Sequence, residues 1–204
     1  HNCYDGYLHV KPVVFWQQEN LLQQYLPNLD RYIVLSDYDK RDYMEKLGID
    51  CEVKINPRSF VSEKKCDVKS KRFLMATRFV YAKGLDLMME SFEEFCKEDS
   101  EWELDIIGDG DLFDQIRADA KKRHLEKRVH FVGYTNEPEK YYLNSSVFLL
   151  PSRWEGWPMV IMEAFEFGLP VIAYHMGAMD LIIDDGKTGF LPEAFDPHKF
   201  AQAM

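Results

Sequence analysis

Pro151-Ser-Arg-Trp-Glu-Gly-Trp-Pro-Met-Val-Ile-Met-Glu-Ala-Phe165 runs from a polar loop straight into an apolar helix. Its two glutamates, Glu155 and Glu163, have seven residues between them. Glu155 and Gly156 fall in the loop, and Pro158 suits the first helical position, where a missing N–H costs nothing. From Trp157 to Phe165 every residue except Glu163 is apolar, so the helix is expected to be buried nearly all round. A carboxylate embedded in such a helix needs a hydrogen-bonding partner. A ribose diol supplies two hydroxyl donors; solvent or a core arginine serves as well on the residues alone. The free amides at the helix start form the kind of site that holds a pyrophosphate.

Outward from this stretch, short apolar runs alternate with amphipathic ones. The order is Arg72–Ala76 then Leu85–Phe95, Leu104–Ile107 then Leu112–Lys122, and Val129–Val132 then Pro138–Leu143. Val147–Leu150 then precedes the helix Pro158–Phe167, and Val171–Ala173 precedes Met179–Ile183. Strand and helix in strict alternation predict an α/β fold with a doubly wound parallel sheet, whose ligands bind at the carboxyl ends of the strands. Nine of the eleven glycines lie between Gly84 and Gly189, which concentrates the tight turns there. Before residue 57 the pattern predicts a helix over Gln17–Tyr25 and a strand over Tyr32–Leu35. A helix over Asp37–Leu47 follows, capped by Ser36 and stopped by Gly48, and then a strand over Glu52–Ile55. Asn56-Pro57 and the charged run Ser62–Lys71 read as a boundary, so the expected organisation is residues 1–56, a linker over 57–70, and a second domain over 71–204.

Two further signals fall at strand ends. Arg78 and Lys83 bracket the loop after Arg72–Ala76, where a guanidinium grips a diphosphate through paired bonds and an ammonium neutralises it as a point charge; two loop cations are also common as solvated surface. Ile107-Gly-Asp-Gly-Asp111 follows the next strand, and glycines there, Gly108 first, mostly serve the turn. Composition narrows the remaining classes. A net charge of −10 over 204 residues, with no basic run longer than Lys121 to Arg123, argues against nucleic acid as a partner. Cys3, Cys51, Cys66 and Cys96 are too scattered for zinc or a redox pair, which points to a reducing, cytoplasmic setting. No apolar stretch reaches the ~18–20 residues of a membrane span. The chain opens at His1 and stops at Met204 just after a helix begins, and so reads as a piece of a longer protein.

Taken in this order, Arg78 and Lys83, the Gly-Asp-Gly turn, and the stretch from Pro151 to Tyr174 resemble the family 4 retaining glycosyltransferases of the two-Rossmann-domain GT-B fold. The resemblance covers about residues 30 to 192 and includes Gly168, Pro170 and the late turn at Asp185, Gly186, Thr188, Gly189 and Phe190. It implies a Rossmann-like, donor-binding C-terminal domain preceded by the tail of an acceptor-binding domain. It assigns the donor diphosphate to Arg78 and Lys83, the ribose to Glu163, and the donor sugar to Glu155. Main-chain groups along Gly156, Trp157, Pro158 and Met159 meet sugar or phosphate, with Pro158 itself offering no N–H, and the loop at Gly133 and Tyr134 cradles the base. The implied donor is a UDP or GDP sugar, with no cofactor and no metal, and the cations stabilise charge growing on the leaving diphosphate. Asp109 and Asp111 look superficially like a metal-binding Asp-x-Asp pair but sit in a turn. The acceptor, a saccharide or lipid-linked chain, belongs to the part of the family's fold that is missing here, together with any peripheral attachment to the inner membrane face. The fragment alone is therefore expected to bind nucleotide but not to transfer sugar efficiently. His1-Asn2 matches a family histidine facing the donor sugar or is a cloning remnant; Trp154, Trp157 and His175 are either cleft-lining or ordinary core and loop residues. An epimerase of the same architecture, or a binding module without catalysis, remain as rival classes, and the Glu155-to-Pro170 tract counts against the epimerase.

Overall fold

A computed structural model describes residues 24–57 and 61–204. His1, Cys3 and the helix expected over Gln17–Tyr25 lie outside the described residues, apart from Gln24 and Tyr25, which are helical. The chain divides into two compact units: residues up to Pro57 together with Trp154–Met159, and Arg58–Arg153 together with Val160–Met204.

In the first unit, β1 (Ile33–Val34) and β2 (Glu52–Val53) pair in parallel, with α1 (Asp37–Leu47) between them in sequence. Both strands are shorter than the runs Tyr32–Leu35 and Glu52–Ile55 that predicted them, because only these residues find a ladder partner. The expected caps are present. Ser36 Oγ accepts from the Asp39 amide at 3.0 Å, and Gly48 ends α1 at φ 68°. Leu26, Val34, Tyr43 and Cys51 form a small core, and the Tyr32 and Tyr43 hydroxyls meet at 3.0 Å.

The second unit holds the doubly wound sheet that the alternation predicted. Its strands are β3 (Arg72–Ala76), β4 (Glu103–Ile107), β5 (Val129–Gly133), β6 (Val147–Leu150), β7 (Val171–Ala173) and β8 (Gly189–Phe190). All pair in parallel in the order β5-β4-β3-β6-β7-β8. The direction of winding reverses between β3 and β6, and a crevice at such a reversal is where this architecture takes ligands. The helices are α2 (Leu85–Glu98), α3 (Phe113–Lys122), α4 (Glu139–Leu143), α5 (Met159–Glu166) and α6 (Pro197–Ala203), the last capped by Asp196. The segment Met179–Ile183 is not a full helix but a single 3-10 turn over Met179–Leu181, too short to complete a second turn. Among the described residues no helix is long and apolar enough to cross a membrane.

The period-two pleat sorts side chains to the two faces of the sheet. Phe73 and Met75 of β3, Leu104 and Ile106 of β4, Leu149 and Ile172 join one core, with Met88, Met89 and Phe92 of α2 and Phe200 of α6. Leu74, Ala76, Phe148, Leu150, Val171 and Ala173 join the other, with Ile161 and Ala164 of α5. Each fully buried Phe or Leu contributes about 1.5–3 kcal/mol, so both faces are needed for a stable sheet. The charged run expected to be a linker is tied to this unit over its described part: the Cys66 amide donates to the Phe167 carbonyl at 2.8 Å, and the Ser70 and Ser146 hydroxyls pair at 2.9 Å.

Candidate functional site

The loop after β3 is built on the Gly-Asp-Gly turn after β4. The Thr77 amide donates to the Ile107 carbonyl, the Phe79 amide to the Asp109 carbonyl, and the Leu112 amide to the Phe79 carbonyl, each at 2.9 Å. A Cβ on Gly108 would lie 1.8 Å from the Thr77 carbonyl oxygen, so no other residue lets the two backbones approach this closely. Phe79 is fully buried, its ring 4.8 Å from that of Phe113, and anchors the loop from below. Arg78, its neighbour, is left exposed, and its guanidinium has no partner among the described residues. The Asp109 carboxylate turns back and accepts from the Gly110 amide at 2.7 Å, a local turn bond.

Lys83 closes a 3-10 turn over Tyr81–Lys83, and Gly84, at φ 63°, both stops that turn and opens α2. Gly84 sits so close to the loop after β6 that a Cβ there would come 1.9 Å from the Pro151 carbonyl oxygen. The two loops that leave the neighbouring strands β3 and β6 are thus packed together at the carboxyl edge, at the winding reversal. Arg153 extends the junction. Its amide donates to the Ala82 carbonyl at 2.8 Å and its guanidinium to both Asp86 oxygens, at 2.8 and 2.6 Å, and to the Tyr81 carbonyl at 2.9 Å. The guanidinium also lies 4.0 Å over the Tyr81 ring. Burial alone raises the Asp86 carboxyl, but the Arg153 guanidinium outweighs it and holds the group below its usual range.

On α5, Glu163 Oε2 accepts a 2.9 Å hydrogen bond from the Tyr142 hydroxyl. Tyr142 is buried, with its ring between those of Phe148 and Phe167 at 5.8 and 5.1 Å. Burial, followed by the adjacent Glu163 charge, pushes the phenol far above its usual pKa, so it stays protonated and can only donate to the carboxylate. Neither a core arginine nor solvent alone answers Glu163; a tyrosine does, through one oxygen. The other oxygen has no donor among the described residues and the side chain is only partly buried.

Glu155, Gly156, Trp157, Pro158 and Met159 fall in the segment that groups with the N-terminal unit. Pro158 is buried and immediately precedes α5, one residue earlier than the first helical position expected for it. Glu155 is partly buried, and the buried Trp157 indole N–H has no acceptor among the described residues. Gly133 ends β5, opposite Ile107 in register, and its carbonyl accepts from the Gly108 amide at 2.9 Å. Tyr134 beyond it is 78% exposed, an aromatic face left open at the same edge. His175 is exposed and lines a cavity of about 460 Å³ with Asp180 and Asp184. A 610 Å³ cavity lies elsewhere, beside α4; its lining charges, Lys64 and Lys140 against Glu137 and Glu139, cancel, and it includes none of the expected site residues.

Sequence reasoning missed Tyr142 and the Arg153–Asp86 pair. The signal for Arg153 lay in the quoted stretch: a cation two residues before Glu155, and an acid three residues after Lys83, on loops already assigned to one edge.

Residues 59–204 match the family described as "Glycosyl transferases group 1". An uncharacterized glycosyltransferase of Haemophilus influenzae is 29% identical over 167 residues, covering 80% of this chain and 47% of that protein. The amylovoran biosynthesis glycosyltransferase AmsD of Erwinia amylovora is 34% identical over 120 residues, covering 58% of this chain and 34% of that protein. A mutant of S. aureus TarM, solved in complex with fondaparinux, alpha-GlcNAc-glycerol and UDP, superposes with a TM-score of 0.81 at 23% identity, covering 92% of this chain and 38% of that one. The chain therefore spans less than half the length of each of these relatives, and the structural likeness establishes the fold.

Proposed function

Because the chain belongs to the group 1 glycosyl transferases, we propose that it forms the donor side of a retaining glycosyl transfer, binding a nucleotide-diphosphate sugar at the winding reversal of its sheet. The observation that carries this reading is the arrangement of charged groups there. Arg78 and Lys83 stand on the loop after β3, and Glu163 stands on the helix that follows the neighbouring strand β6 with one oxygen already held by Tyr142. Cations suit a diphosphate, and a half-satisfied carboxylate suits a ribose hydroxyl. Uridine diphosphate is the nucleotide to try first, since the TarM relative was solved with it; a guanosine nucleotide is the alternative donor type.

In this reading the acceptor hydroxyl oxygen bonds to the anomeric carbon on the face that the diphosphate leaves, while Arg78 and Lys83 stabilise the charge left on the departing diphosphate oxygens. The diphosphate itself takes the acceptor proton, so no protein nucleophile and no metal is required. Tyr142, held protonated, keeps Glu163 in the rotamer that faces the ribose, and Glu155 contacts the sugar. Tyr134 supplies an aromatic face for the base. The acceptor is recognised by the remainder of the longer protein, and the relatives' names suggest a glycopolymer as product.

Calorimetric titration of the chain with uridine, UDP and a panel of UDP sugars tests the reading. UDP is expected to bind more tightly than uridine, with affinity unchanged by EDTA, and Glu155→Gln is expected to matter only when the sugar is attached. A strict requirement for Mn²⁺, or equal affinity for uridine and UDP, would overturn it.

A further inference from the structure

Lys83 is carried by a single 3-10 turn. None of Tyr81–Lys83 is buried, no side chain caps its start, and its internal bonds are the Lys83 amide to the Val80 carbonyl at 3.0 Å and the Gly84 amide to the Tyr81 carbonyl at 3.3 Å. Arg153, on the loop after β6, ties the turn down by reaching residues on both sides of Lys83: Tyr81 and Ala82 before it and Asp86 after it. The Arg153 side chain is 13% exposed, and its fork is committed to the Asp86 carboxylate and the Tyr81 carbonyl. Its charge is thus spent on Asp86 and is not offered to an anion. We propose that Arg153 is a positioning residue for Lys83, pinning the turn through Asp86 and Tyr81 so that the ammonium meets the donor diphosphate.

The proposal rests on the reading of Lys83 as a diphosphate ligand. Two effects are open to such a pair and they predict different results. Arg153 neutralises Asp86, whose charge would otherwise oppose a diphosphate, and Arg153 also fixes the turn's geometry. A lysine at this position keeps the positive charge but loses the planar fork that bonds two oxygens at once. Asparagine in place of Asp86 leaves Arg153 as an unbalanced cation, which by field alone tightens diphosphate binding, whereas loss of the paired bonds loosens the turn and weakens it.

The test is calorimetric titration of the chain with uridine and with UDP, using the unaltered sequence, Arg153→Lys, Asp86→Asn, Lys83→Ala and the double change Arg153→Lys with Lys83→Ala. Arg153→Lys is expected to weaken UDP binding about tenfold and leave uridine within about twofold, and its effect should vanish once Lys83 is alanine, because positioning acts only through the group positioned. Asp86→Asn is expected to weaken UDP in the same selective way. Tighter UDP binding by Asp86→Asn, an Arg153→Lys loss that persists in the Lys83→Ala background, or an equal loss for uridine would each overturn the proposal. If the unaltered chain bound UDP no better than uridine, the donor reading itself would fall and this inference with it. A Lys83→Ala loss without any Arg153→Lys loss would sink this inference alone.

Discussion

The two edges of the sheet use charge in opposite ways. At the amino edge, where β3 and β4 begin, Arg72, Glu103 and Asp105 answer one another. Arg72 donates to both Asp105 oxygens at 2.9 and 3.1 Å and to Glu103 at 2.5 Å, and His130 meets the same Glu103 oxygen at 2.9 Å. At the carboxyl edge Arg78 stands exposed without a partner among the described residues, and Glu163 is answered through one oxygen. The amino edge is a closed network that serves the fold. The carboxyl edge leaves the Arg78 guanidinium to solvent and answers Glu163 through one oxygen, so under the donor reading these groups are free to serve a ligand and not the fold.

The largest expected effect is on stability and comes from breaking the closed network. Arg72→Ala leaves Asp105, 6% exposed, as a buried carboxylate without its cation, and is expected to destabilise by about 2–3 kcal/mol, toward the low end for a buried pair because Arg72 is partly solvated. Denaturant unfolding reads the loss, and UDP affinity should hardly move. An unchanged midpoint would remove the contrast between the edges.

The converse is expected at the open edge. A hydrogen bond to a charged group contributes ~1.5–3 kcal/mol, so Arg78→Ala or Lys83→Ala should weaken UDP by about one to two orders of magnitude with uridine unaffected. For Arg78→Ala the unfolding midpoint should also stay put, since that side chain bonds nothing in the described protein. Loss of stability instead of affinity would place Arg78 in the fold's service.

Glu163 and Tyr142 give a smaller, different pattern. Glu163→Gln is expected to weaken uridine and UDP by similar factors, the ribose being common to both. Tyr142→Phe removes the one donor to Glu163 among the described residues and should cost about 1 kcal/mol, close to fivefold, again for both ligands. A change confined to UDP would show Glu163 facing phosphate and not ribose.

The smallest effect is a pH dependence at the amino edge. The His130 ring first, and the Arg72 guanidinium after it, hold the Glu103 carboxyl below its ordinary value. A carboxyl whose folded pKa is depressed contributes stability above its unfolded value of about 4.3, and loses that contribution as pH falls through the lower folded value. His130→Asn should therefore lower the melting temperature slightly at neutral pH and converge with the unaltered protein in acid, which flattens the decline below about pH 4.5. An identical acid limb in the two proteins would show that the His130 contact carries no linkage.

Much of this was legible in the sequence because it depends on neighbours along the chain. The alternation of strand and helix, the Ser36 and Gly48 caps, the Gly-Asp-Gly turn, and the placement of Arg78, Lys83 and Glu163 beyond strand ends all follow from preferences that act over a turn or less. What the sequence could not decide was which distant group answers which. Tyr142 lies 21 residues from Glu163, and Asp86 lies 67 from Arg153. Those pairs form only once β6 has settled beside β3, bringing the loop after β6 against the turn at Lys83 and α5 against α4. The 3-10 turn over Met179–Leu181 failed as a helix for a related reason: an amphipathic stretch signals burial, but its length as a helix depends on what it has to pack against. Local chemistry, then, determined the elements and the edge at which Arg78, Lys83 and Glu163 stand. Strand order, a property of the whole sheet, decided which distant residues, Tyr142 for Glu163 and Arg153 for the turn at Lys83, come within reach of them.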